Sequence, residues 1–138
     1  METELVRVDE RRQERGTRKL TTLVVDDSVS MRKLISFTLK QAGYEVIEEA
    51  NGQEALARMD GSRVDLVITD LNMPVMDGIS FIRAVRSRWK SRFTPILMLT
   101  TESQESKKRE GQAAGATGWI VKPFRPDHLL KTIETLVR

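Results

Sequence analysis

Five side chains carry most of the chemical potential of this sequence: Asp26 and Asp27, adjacent to one another, then Asp70, Thr100 and Lys122. The chain has no cysteine and a single histidine, His128. That excludes disulfides, thiolate metal sites, cysteine nucleophiles and any multi-histidine centre. Chemistry therefore falls to carboxylates, hydroxyls and lysines. Carboxylates about 4 Å apart repel by ~4 kcal/mol per pair at an effective dielectric near 20, so a cluster of them calls for a cation or a raised pKa. Oxygen ligands without nitrogen or sulfur favour Mg²⁺, Mn²⁺ or Ca²⁺ over zinc, and Mg²⁺ uses one or two carboxylates while keeping several waters. A phosphoryl group suits the positions left open on such an ion. Lys122 is a mobile point charge for phosphate, Thr100 a hydrogen-bond donor to a phosphoryl oxygen, and Asp70 can act as the nucleophile that forms an aspartyl phosphate.

Positioning these residues requires a scaffold, and the hydrophobic pattern supplies one. The 138 residues are 39% hydrophobic and 31% charged, enough for one core and too short for a second large one. Apolar runs at 20–25, 44–47, 64–69, 95–99 and 118–121 have strand length, and three are continuously apolar, as in parallel strands covered on both faces. Between them, Met31, Leu34, Ile35, Thr38, Leu39 and Ala42 recur at helical spacing, with Gly43 placed as a C-terminal cap. Comparable helical stretches cover 52–59, 78–89, 103–114 and 126–137, the fourth interrupted by Gly111 and the last opened by Pro126. Alternation of this kind predicts an α/β fold, a doubly wound sheet of five parallel strands with helices on both faces. Residues 1–19 mix charges of both signs without a sustained stripe and read as a flexible extension, leaving 20–138 as the domain. No apolar stretch approaches the ~20 residues of a membrane span, no signal-peptide core follows the start, and a cytoplasmic protein is expected.

In an open parallel sheet the loops leaving the carboxyl ends of the strands converge on one edge. Asp26-Asp27, Asp70, Thr100-Thr101 and Lys122-Pro123 all stand at such ends. Each has an ordinary reading too. Asp26 and Asp27 can cap the first helix, Asp70 can serve a turn, Thr100 can bond its own backbone, and Lys122 can be a solvated charge. The Asp77-Gly78 pair reads as a turn. Trp119 can be core or an exposed anchor, and Met73, Met76 and Phe124 read as packing. The basic residues Arg83, Arg86, Arg88, Lys90 and Arg92, with Lys107-Lys108-Arg109, read as solvated helix faces. What favours chemistry over the ordinary readings is that all four clusters share one edge.

The segments 24–28 (VVDDS), 70–78 (DLNMPVMDG), 97–100 (LMLT) and 121–124 (VKPF) resemble those of receiver domains of two-component response regulators, and the resemblance runs from about residue 20 to the C-terminus. It implies a flavodoxin-like sheet in the order 2-1-3-4-5 with five helices. It further implies that Asp70 accepts a phosphoryl group from a phosphohistidine on a sensor kinase or phosphotransfer protein. Asp27, Asp70 and the backbone carbonyl of Asn72 would bind Mg²⁺ directly, with Mn²⁺ as a substitute, and Asp26 would assist through a water. Lys122 would pair with the phosphoryl oxygens, the Lys122-Pro123 bond would be cis, and Thr100 would swing toward the phosphoryl group as Trp119 turns inward. Asn72 and Glu102 would border the path of hydrolytic water. Thr101 and Trp119 depart from the commoner small residue and Tyr or Phe at those positions; an indole is bulkier and its N–H needs a partner when buried.

The resemblance implies a phosphorylation-activated switch, not an enzyme acting on other molecules. The main expectation is a single-domain, chemotaxis-type receiver whose fourth helix, fifth strand and fifth helix form an output surface, the flagellar motor switch being one partner. The alternatives are a receiver in a phosphorelay or kinase-feedback pathway, and a hydrolase passing through an aspartyl phosphate. A haloacid-dehalogenase-type phosphatase needs a second Asp two residues after its nucleophile, where Asn72 stands. A net charge of only +3 gives no ground for nucleic-acid binding, and no membrane insertion is expected.

Overall fold

Three strands are buried along almost their whole length, and they are the three whose sequences are unbroken apolar runs. In the computed structural model, which describes residues 19–137, these are β1 (Thr21–Val25), β3 (Leu66–Asp70) and β4 (Ile96–Thr100). β2 (Glu45–Glu49) and β5 (Gly118–Val121) flank them and are more exposed, as edge strands must be. The order is β2-β1-β3-β4-β5 with every neighbour parallel. Helices α1 (Val29–Gln41), α2 (Gly52–Gly61), α3 (Gly78–Ser87), α4 (Glu105–Ala114) and α5 (Pro126–Leu136) each follow one strand. This is the flavodoxin-like arrangement expected. Residues 1–18 of the expected extension lie outside the described residues.

Side-chain alternation along the strands divides the interior into two cores. Leu23, Val25, Val67, Ile96 and Met98 pack with Ala55 and Leu56 of α2 and with Phe81, Ile82 and Val85 of α3. Val24, Leu66, Ile68, Leu97 and Leu99 pack with Ile35 and Leu39 of α1 and Leu129 and Ile133 of α5. Truncating one of these fully buried Leu or Ile side chains to Ala removes about 2–5 kcal/mol.

The boundaries differ from the sequence reading where backbone geometry overrides side-chain pattern. β3 and β4 each extend one residue past their apolar runs, because Asp70 pairs with Leu99 and Thr100 with Val121 in the ladder. The expected 78–89 helix ends at Ser87, where Arg88 turns extended, and Trp89–Ser91 forms a separate 3₁₀ turn. The fourth helix starts later, behind a 3₁₀ turn at Glu102–Gln104, and runs through Gly111 without a break. A Cβ at Gly111 would overlap Met98 Sδ, so glycine lets α4 approach β4 closely. Gly43, at φ +97°, takes the left-handed turn after α1, and its N–H donates to Lys40 O.

Candidate functional site

The acidic residues converge as strand ends at the carboxyl edge of the sheet, between the loops leaving β1 and β3. Asp26 follows β1 and is completely buried. Its backbone is held from two sides, by its N–H donating to Glu49 O at 3.2 Å and by Arg32 Nη1 donating to its carbonyl at 2.7 Å. The Ser28 N–H donates to Asp26 Oδ1 at 2.9 Å, while Asp26 Oδ2 has no hydrogen-bond partner. Burial pushes the Asp26 carboxyl above its usual range; the Ser28 amide and Lys122 pull the other way, and Asp70 and Asp27 add to the rise. Neither Asp26 nor Asp27 caps the first helix. Ser28 does, its Oγ accepting from Met31 N at 3.3 Å, which leaves both carboxylates available.

Asp70 is the last residue of β3 and is 9% exposed. Its Oδ1 accepts from the Leu71 N–H at 2.8 Å, and no donor among the described residues reaches Oδ2. The loop behind it is tight. Gly78 N–H donates to Leu71 O at 2.9 Å, and a Cβ on Gly78 would overlap the Asp70 carbonyl and Leu71 Cα. Midway, Met76 N–H donates to Pro74 O at 2.8 Å around Val75, whose φ of +72° is a γ-turn conformation rare for a β-branched residue. Such strain costs about 1–3 kcal/mol and marks a loop whose path is imposed by its surroundings. Asp77 does not form a free turn with Gly78; it caps α3, with Oδ1 accepting from Ser80 N at 2.9 Å.

Lys122 reaches the pocket from β5. Its Nζ lies 3.4 Å from Asp70 Oδ1 and 3.7 Å from Asp26 Oδ2, with its side chain only 20% exposed. The Lys122 N–H donates to Thr100 O at 2.7 Å, tying the β5 exit to β4, and the Lys122-Pro123 bond is cis. Thr100 is buried, and its hydroxyl makes only a long 3.5 Å bond to Ile120 O on the neighbouring strand. One carboxylate oxygen from each of Asp26, Asp27 and Asp70 lies within 4.8 Å of the others. Three carboxyl groups share one ammonium, and the buried Asp26 Oδ2 lies near it without a hydrogen bond. An oxygen-only donor set of this kind fits a hard divalent cation.

Two further expected participants lie in the loops that follow β3 and β4. Asn72 is exposed in the loop after Asp70, and Glu102 opens the 3₁₀ turn that follows β4. Trp119 is 42% exposed on β5, with Lys108 Nζ 4.7 Å from its ring centroid; Lys108 also lies 3.3 Å from Glu105 Oε2. The indole in this structure is therefore at the surface against a lysine. Sequence reasoning missed Arg32 and Lys108, whose roles come from cross-element contact and leave no local signature. It also missed Ser28, which an N-cap preference could have ranked beside the aspartates.

The fold and this strand-end constellation define the class. The profile of the response regulator receiver domain matches residues 22–134, and the chain belongs to that family, the phosphoacceptor switch domains of two-component systems. More specifically it is CheY-like. It is 40% identical over 117 residues to chemotaxis protein CheY1 of Helicobacter pylori strain 26695, covering 83% of this chain and 94% of that protein. The structure of chemotaxis response regulator CheY4 of Vibrio cholerae aligns with a TM-score of 0.82 at 54% identity, covering 86% of this chain and 99% of that one. The transcriptional regulatory protein ResD of Bacillus subtilis is 37% identical over 122 residues, and the match spans only 50% of that protein's length. Among the described residues no helix is long and apolar enough to cross a membrane.

Proposed function

We propose that the chain is a phosphorylation-activated switch in which Asp70 accepts a phosphoryl group from a phosphohistidine on a sensor kinase or phosphotransfer protein. The observation that carries this reading is the Asp70 carboxylate, fixed through Oδ1 by the Leu71 amide and Lys122 while no donor among the described residues reaches Oδ2. An Asp70 oxygen attacks phosphorus as the phosphorus–nitrogen bond to the donor imidazole breaks, and the imidazole keeps the bonding pair. Asp27, Asp70 and the Asn72 carbonyl would hold Mg²⁺, with Asp26 assisting and Mn²⁺ as a substitute. The ion supplies charge neutralisation for the transferring oxygens. Lys122 keeps its ammonium on the phosphoryl oxygens, and Thr100, whose hydroxyl is only loosely bonded, turns its O–H to them.

The remote consequence runs through β5. Trp119 and Thr100 stand on adjacent strands, and inward movement of the indole trades its contact with Lys108 for burial. Moving such an equilibrium from 1:99 to 99:1 takes about 5.5 kcal/mol, more than one hydrogen bond supplies, so Lys122, Thr100 and the cation act together. The output surface is the α4–β5–α5 face, and the CheY relatives support a chemotaxis role with the flagellar motor switch as a partner. Asn72 and Glu102 set the lifetime of the phosphorylated state.

The test is incubation with Mg²⁺ and acetyl phosphate, followed by intact mass. The parent gains one phosphoryl group; EDTA or Asp70→Asn abolishes the adduct. Equal labelling of the substituted protein would move the acceptor elsewhere and end the proposal.

A further inference from the structure

The most exposed large apolar side chains among the described residues are far from the acidic pocket. Trp89 is 81% and Phe93 82% exposed, on the segment that leaves α3 and enters β4 at Ile96. That is the amino edge of the sheet, separated from the carboxyl edge by strands of five residues, roughly 15 Å. The Arg92 guanidinium lies against both rings, 4.6 Å from the Trp89 centroid and 4.9 Å from that of Phe93. Stacking orients the guanidinium plane without consuming its edge, and among the described residues the Arg92 side chain has no hydrogen bond or ion pair.

The backbone beneath is fixed. Arg86 Nη1 donates to the carbonyls of Ser91, Arg92 and Thr94 at 3.2, 3.2 and 2.6 Å, and the buried Ser91 donates through Oγ to Val85 O at 2.7 Å. A segment already ordered while presenting bare aromatic side chains loses little more freedom when something docks on it. Beside it opens a cleft of about 400 Å³, whose lining includes Met59, Ser62, Val64, Asp65 and Lys90. Two of the local cations are neutralised, Arg88 by Asp60 at 3.0 Å and Arg63 by Asp65 at 3.5 Å. Lys90 donates to Ser62 O at 3.3 Å and its charge also acts on Asp60, which leaves Arg92 as the cation of this segment without a carboxylate partner among the described residues.

We infer that this amino-edge patch is a docking surface for a protein segment that carries a carboxylate beside an apolar side chain. The carboxylate takes the free edge of Arg92 in the two-pronged geometry a stacked guanidinium offers, with Lys90 as a second cation. The apolar neighbour packs on the exposed rings and into the cleft. Trp and Arg are the residue types that dominate protein interfaces. Lipid headgroups and nucleic acid share the anionic chemistry but not the pairing of a single carboxylate with an apolar neighbour that one free guanidinium beside two bare rings calls for, and the test below separates them. This surface is independent of the phosphoacceptor reading.

The test is selection of a phage-displayed random-peptide library on the full chain, with counter-selection on Arg92→Ala. The expected consensus places Asp or Glu within two residues of Leu, Ile, Phe or Met. The synthetic consensus peptide shifts Trp89 emission in a Trp119→Phe background and binds more weakly as salt rises. Its affinity falls roughly tenfold in Arg92→Ala and in Trp89→Ala. Arg92→Lys, which keeps the charge and loses the fork, weakens it as well and serves if Arg92→Ala does not fold. The parent and Asp70→Asn bind it equally, so failure of docking and failure of phosphoryl acceptance read out separately. The inference is overturned by the absence of a consensus, by a cationic one, or by binding indifferent to Arg92. Equal affinity for phosphatidylglycerol vesicles or a single-stranded oligonucleotide would overturn it in favour of a general polyanion site.

Discussion

Arg86 and Asp26 are both charged groups drawn into the protein, at opposite ends of the sheet, and they are treated in opposite ways. Arg86 spends its guanidinium on neutral oxygens. Nε donates to Gly115 O at 2.9 Å, Nη1 to the three carbonyls of the α3–β4 segment, and Nη2 to Thr117 Oγ1 at 3.3 Å. Burial pulls its pKa down from the arginine value, and the carbonyl bonds keep the desolvated cation tolerable. Asp26 is buried with one oxygen hydrogen-bonded and the other left only the Lys122 ammonium at 3.7 Å, beside two further carboxylates. A buried polar group saturated by its own fold holds structure together. One that the fold leaves unsaturated stores a cost that a cation can relieve, so a cation site fits the carboxyl edge and cross-bracing the Arg86 end.

The largest expected effect breaks the saturated end. Arg86→Ala strips hydrogen bonds from four carbonyls and a hydroxyl at once and should lower stability by about 3 kcal/mol or more, measured by urea unfolding. Mg²⁺ affinity of the folded fraction should stay at the parent value, and a loss of Mg²⁺ binding comparable to that of pocket variants would erase the distinction between the two ends.

At the unsaturated end the sign reverses. Asp26→Asn removes a desolvated charge from beside Asp70 and Asp27, and in EDTA it should raise stability by about 1–2 kcal/mol. Calorimetry should then show weaker Mg²⁺ uptake. Destabilisation in EDTA would mean that Asp26 is compensated after all.

The smallest effect sharpens the contrast with a carboxylate on the same edge that is satisfied. Asp77 caps α3, and the Ser80 backbone N–H holds its carboxyl below the usual range, outweighing a smaller opposing effect of desolvation. Asp77→Ala should cost about 1 kcal/mol. Because the folded pKa is depressed below the reference 3.8, that contribution is complete above the reference value and disappears as pH falls through the folded one. A stability gap between Asp77→Ala and parent that persisted under strongly acidic conditions would show that the cap acts without its charge.

Much of this was legible because the physics involved is local. A parallel strand covered on both faces has to be an unbroken apolar run, and polar residues at the ends of such runs have to meet at one edge; Asp26, Asp27, Asp70, Thr100 and Lys122 could be gathered on that ground alone. The basic run 83–92 was legible only in part. Arg83, Arg86 and Arg88 have the same residue type and similar spacing, yet Arg83 is exposed, Arg88 pairs with Asp60, and Arg86 braces the α3–β4 segment. Nothing in the local sequence separates them, because the partners lie up to 31 residues away and the choice depends on which carbonyls the fold strands beneath each side chain.

The sequence by itself determined the fold class, the edge on which the chemistry gathers and the kinds of group available there, since periodicity and strand-end position are properties of neighbouring residues. Tertiary structure decided which aspartate is buried with an oxygen lacking a hydrogen bond, that Ser28 takes the helix cap in place of the aspartates, and that Trp119 rests on Lys108. It also decided that Trp89 leaves the helix to stand exposed beside Arg92. Burial and pairing are set by distances between segments remote in the chain, and those exist only once the sheet has assembled.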